Sequence, residues 1–183
     1  MPSPTRGPRA SRAGLSLLEI LVALTLLVIG AAAVSSNLVS ARSLSRARSE
    51  RAQASDAAAS LIETLKGATF AEVFRSYNDD PSDDPGGAGT APGSAFAVEG
   101  LDPRADDADG LPGEVLFPGS GSQLREDAVD VGLGMPRDLN GDGSIDATDH
   151  GADYGVLPVR VRVRWKGSSG DQELEFVTVL VDF

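Results

Sequence analysis

Apolar and polar positions change rhythm several times along the chain, and each change predicts an element. Residues 15–34 are apolar or small apart from one charge, Glu19. A helix of these 20 residues, at about 1.5 Å per residue, just crosses a hydrocarbon core of roughly 30 Å. No proline occurs between residues 15 and 66, and Gly30 is the one glycine there. One continuous helix of about 50 residues, roughly 75–80 Å long, is therefore predicted. Past Val34 the pattern turns polar. Arg42, Arg46, Arg48 and Arg51 follow on successive turns, facing solvent or acidic neighbours. Ala58, Leu61, Ile62 and Leu65 then fall at i, i+3, i+4 and i+7, a stripe suited to packing on a sheet. Gly67 is expected to cap this helix. Thr69 and Glu72 have capping-box spacing, so a short helix is expected over residues 70–76, with Phe70, Val73 and Phe74 as its apolar face.

Residues 77–155 lose regular periodicity. Residues 78–87 form an acidic, Pro- and Gly-rich segment that predicts an exposed, mobile loop. Short strands are expected at 95–98 and 114–117, separated by Asp102, Asp106, Asp107 and Asp109, which read as a solvated loop. The C-terminus is clearer. Residues 159–165 alternate Val and Arg up to Trp165, the period of a half-buried strand. Residues 166–171 are a turn, and residues 172–183 the return strand. Pairing Gly167 with Gly170 sets Arg164 opposite Glu173 and Arg162 opposite Glu175. Val163 then faces Leu174, and Val161 faces Phe176. The nearly all-apolar run 177–181 suggests an interior strand covered by the long helix.

Composition narrows the function. The 183 residues allow one small domain besides an apolar helix, and 41% hydrophobic content is partly spent on that helix. Cysteine is absent, which excludes disulfides, thiol catalysis and Cys-based metal sites. The formal net charge is −11, which argues against nucleic acid as a partner because phosphate contacts need a basic face. His150 is the sole histidine and reads as a surface residue. No nucleophile–base pair stands out, so no enzyme is expected.

Glu19 is the oddity of the apolar run. A carboxylate near a bilayer centre costs about 2.5–3.5 kcal/mol even on lenient scales. Three readings of the N-terminus compete. One is a secretory signal peptide, with Arg6, Arg9 and Arg12 as its basic region and Ala31-Ala32-Ala33 as a cleavage site. The second is a plain signal anchor. Both leave Glu19 unexplained. The third rests on Gly14-Leu15-Ser16-Leu17-Leu18-Glu19 followed by about fifteen apolar residues. This stretch resembles the prepilin class of N-termini, found in type IV pilins and type II secretion pseudopilins. The resemblance implies cleavage between Gly14 and Leu15 by a prepilin peptidase, then N-methylation of Leu15. It also implies that Glu19 neutralises the new amine of a neighbouring subunit, which fixes axial register. Leu15 in place of the commoner Phe, and Ser16 in place of Thr, are mild departures. The terminal hairpin with its Trp and Gly-rich turn also looks like the minor pilin or pilus-modification subgroup.

One local motif carries metal chemistry. From Asp138 to Asp149, side-chain oxygens recur at positions 1, 3, 5, 9 and 12, with Gly143 at position 6 and Ile145 at position 8. That is the Ca²⁺-loop spacing. Asp138, Asn140 and Asp142 would be side-chain ligands and Ser144 would give its carbonyl. Asp146 would act through water, and Asp149 would close the shell. Asp at position 12 resembles dockerin and thrombospondin type 3 loops more than EF-hands, and the flanking Gly and Pro residues exclude an EF-hand pair. The expected role of Ca²⁺ is to order a loop poor in apolar surface. Some pseudopilins similarly order their C-terminal region around calcium.

These readings combine into an α+β, pilin-like chain. Residues 1–14 are a leader whose arginines keep it cytoplasmic, and 15–34 are the transmembrane half of the long helix. Residues 35–76 hold its soluble half and the short helix, and 77–183 a β-domain with the calcium-type loop. The expected partners are other pilin or pseudopilin subunits, the prepilin peptidase/N-methyltransferase and the inner membrane. Pilus and pseudopilus are not distinguished. The alternative is a signal-anchored, calcium-dependent binding or adhesion domain outside the cytoplasm.

Overall fold

A computed structural model describes residues 16–182; Gly14 and Leu15 lie outside the described residues. The chain divides into two compact units, Met1–Arg42 and Ser43–Phe183. Helix α1 (Leu17–Gly67) contributes to both. Its first part is long and apolar enough to cross a membrane, and none of it is buried. Leu17, Leu21, Leu24, Leu27 and Val28 are all exposed, with Glu19 in the first turn.

The second unit is an α+β layout. The later part of α1 buries Ala54, Ala58 and Leu65, so the predicted stripe does meet the core. Gly67 belongs to the helix and does not follow it as a left-handed cap. Helix α2 (Phe70–Tyr77) buries Val73, Phe74 and Tyr77. Thr69 is its N-cap residue, yet its side chain makes no capping bond. The Glu72 N–H donates to the Thr69 carbonyl instead, at 2.9 Å. The expected capping box is therefore not formed.

The sheet is antiparallel throughout, in the order β1 (Ala95–Phe96), β2 (Gly113–Leu116), β5 (Val156–Gly167), β6 (Gly170–Val181). Strands β3 (Gly119–Ser120) and β4 (Gln123–Leu124) form a separate pair. Strand β5 turns Val159, Val161, Val163 and Trp165 into the core and keeps Arg160, Arg162 and Arg164 on the other face. The hairpin register is the one expected: Gly167 pairs with Gly170, Arg164 with Glu173, Arg162 with Glu175, Val163 with Leu174 and Val161 with Phe176.

Two expectations about the hairpin need correction. The ion partners of the Arg face come from both sides, because β5 is a central strand. Arg162 pairs with Glu114 of β2 at 2.6 Å, and Arg160 with Asp130 at 2.7 Å and with Glu175 at 3.5 Å. Strand β6 is not interior either. It pairs only with β5 among the described residues, and Val177, Val179 and Val181 are 47%, 42% and 38% exposed. Only its alternate residues, Leu174, Phe176 and Leu180, reach the core.

Candidate metal centre

The twelve residues from Asp138 fold as a chain of side-chain-to-backbone turns. Asp138 accepts from the Gly141 N–H at 2.6 Å and the Gly143 N–H at 2.8 Å. Asn140 accepts from the Asp142 N–H at 3.0 Å, Asp142 from the Ser144 N–H at 2.8 Å, and Asp146 from the Thr148 N–H at 2.6 Å. Short Asp and Asn side chains favour such turns because each oxygen reaches the amide two residues on. Gly141 and Gly143 have φ of 82° and 88°, a conformation that admits the sharp bend only with glycine. Position 6 of the motif thus has its expected backbone.

Glu126 holds the loop from outside. Its carboxylate is 1% exposed, and one oxygen accepts from the Leu139 N–H at 2.6 Å and the Asn140 N–H at 3.3 Å. The other accepts from the Asp146 N–H at 3.2 Å. Backbone pairs reinforce this grip: the Arg137 N–H donates to the Glu126 carbonyl, and the Asp127 N–H to the Asp146 carbonyl. The exit is tied down as well. The Gly155 and Val156 N–H groups both donate to the Leu139 carbonyl, and the Tyr154 hydroxyl donates to the Phe70 carbonyl of α2. Glu126 was not visible as a site residue in the sequence. It stands twelve positions before the motif in an acidic segment, and no spacing rule connects it to the loop.

His150 is also misplaced by sequence reasoning. It is buried, 4% exposed, because the Leu124 carbonyl takes its backbone N–H at 2.8 Å and draws the residue against β4. Its Nε2 lies 3.4 Å from Asp146 Oδ1 and 3.7 Å from Glu126 Oε2, and its Nδ1 lies 3.1 Å from Asp153 Oδ1. Burial opposes the imidazolium, but the bonds to Asp146 and Asp153 and the Glu126 charge outweigh it, so the His150 pKa is raised.

Of the six ligands read from the motif, Asp138, Asn140, Asp142 and Ser144 share one run of turns, and Asp146 begins the next by accepting from the Thr148 N–H. Asp149 is engaged elsewhere: its Oδ1 accepts from the Leu124 N–H at 2.9 Å and the Gly151 N–H at 3.0 Å. Among the described residues, one His and acid trio has ligand atoms all within 4.8 Å of one another, namely Glu126, Asp146 and His150. Asp138, Asp142 and Asp149 are not in it. Glu19, expected from the sequence to act in assembly, lies in the other unit, on the exposed apolar part of α1. No family model matches this chain, and neither does any curated protein or solved structure.

Proposed function

We propose that the chain is a filament subunit, a minor pilin or pseudopilin of a type IV pilus or a type II secretion pseudopilus. The observation that carries this reading is Glu19, the one acid in the apolar first part of α1, a part that buries nothing of its own. Isolated in a bilayer, that carboxylate costs stability. Set against the amine of a processed Leu15 on the next subunit, it gains a partner and defines an axial step. A pilin-like arrangement, with the helix carried by a small antiparallel sheet, agrees with the α+β layout. The chain would reside in the inner membrane with its second unit outside the cytoplasm, then join the filament. It would act as a substrate of the prepilin peptidase/N-methyltransferase and not as an enzyme.

The test is the intact mass and N-terminal peptide of the protein isolated from its native membrane. A chain that begins at Leu15 with one added methyl group supports the pathway. A chain that begins at Met1 or Val34 overturns it. In the filament reading, Glu19→Ala impairs assembly while membrane insertion persists.

The turn system at 138–146 favours a second reading for the other unit: the loop takes Ca²⁺ through Asp138, Asn140, Asp142 and the Ser144 carbonyl, with an affinity of roughly 10⁻⁴–10⁻³ M. Asp149 would have to release the Leu124 and Gly151 amides to join the shell. In a signal-anchored adhesion domain the same loop would face a ligand, processing at Gly14 would not occur and Glu19→Ala would be tolerated.

A further inference from the structure

Three carboxylates converge on one buried imidazole, and among the described residues no arginine or lysine joins them. Glu126, Asp146 and Asp153 each pair with His150 and, among the described residues, with no other cation. Even a protonated His150 leaves two negative charges in excess, close to two side chains that are 1% and 4% exposed. The three amides on Glu126 offset only part of this.

We propose that Glu126 Oε2, Asp146 Oδ1 and His150 Nε2 form a binding site for a borderline divalent transition ion of the Zn²⁺ class, separate from the calcium-type turns at 138–144. Bonds of about 2.0–2.2 Å at tetrahedral angles separate ligand atoms by roughly 3.3–3.6 Å. The two separations from His150 Nε2, 3.4 and 3.7 Å, need little adjustment to meet that spacing. Asp153 supplies the outer partner. A neutral His150 that donates its Nδ1–H to Asp153 presents the Nε2 lone pair to the metal, the orientation that carboxylate–histidine–metal sites use. An imidazole donor selects against Ca²⁺, which takes six to eight oxygens, and suits zinc, nickel or copper. Asp146 is exposed, so the fourth position opens to water. It is also position 9 of the calcium-type motif, where its role is water-mediated, so a direct bond to the second ion remains open to it. The proposal does not rest on the filament reading.

The experiment uses the full chain in detergent micelles, stripped with EDTA and titrated calorimetrically with Zn²⁺, with Co²⁺ as a coloured probe. The expected result is one equivalent of Zn²⁺ bound at micromolar affinity or tighter and retained in millimolar Ca²⁺. Bound Co²⁺ should show visible absorption that Zn²⁺ bleaches. His150→Gln should lose binding, and Asp153→Asn should weaken it about 10–100-fold. Asp142→Asn should leave it intact. Thermal unfolding of each metal-free variant checks that it is folded; if His150→Gln is not, Asp153→Asn carries the test. Absence of Zn²⁺ binding, its displacement by millimolar Ca²⁺, or equal binding by wild type and the folded His150 or Asp153 variant overturns the proposal.

Discussion

Glu126 shows how much one side chain organises here. It accepts three backbone amides from both ends of the 139–146 segment while almost fully out of solvent. Hydrogen bonds to a charged group contribute about 1.5–3 kcal/mol, and orphaned buried donors add their own desolvation cost. Glu126→Gln should therefore destabilise the second unit by about 1.5–3 kcal/mol. Denaturant unfolding followed through Trp165, the sole tryptophan and 2% exposed, measures the loss. An unchanged midpoint would show that the carboxylate is incidental. Asp130 gives a pH prediction. The bond from Arg160 holds its pKa down against the cost of burial, with help from the Leu133 N–H. A depressed folded value means the contribution is present above the ordinary Asp range and fades as pH falls through the folded value. Stability should thus decline on acidification, and Asp130→Asn should flatten part of that decline in the same unfolding assay.

At the scale of elements, legibility followed locality. The hairpin could be read residue by residue because its information is local: alternation fixes the faces, and the Gly167 and Gly170 positions fix the register. Helix α1 was equally plain, since no proline interrupts it. The edge position of β6 was not readable. An apolar run says that a strand is apolar, not which of its sides finds a neighbour, and β5 takes β2 as its second partner through pairs such as Glu114 with Arg162. Glu126 escaped for the same reason, since the amides it accepts come from another segment, and His150 because its burial comes from the distant Leu124 carbonyl and Glu126. The seam between α1 and the core follows size as well as polarity. Ala54 and Ala58 are wholly buried, so larger side chains there must displace their neighbours. Ala58→Leu should cost about 1–3 kcal/mol through overpacking. A rise in the Trp165-monitored midpoint would instead show that the seam has spare room.

For the molecule as a whole, like-charge repulsion and apolar surface oppose each other. The net charge of −11 keeps copies apart at low salt. At 0.15 M ionic strength the screening length falls to about 8 Å. With the apolar part of α1 covered by detergent, the open side of β6 then becomes the exposed hazard. Among the described residues its outer backbone groups have no strand partner beside Val177, Val179 and Val181, and β6 lacks the lysines and prolines that guard many edge strands. Turbidity of the purified chain should climb with added sodium chloride, and Val179→Lys should suppress the climb without lowering the unfolding midpoint. Ionic strength is thus a shelf-life variable for this protein: a buffer chosen to mimic the cell would store it less well than one nearly free of salt.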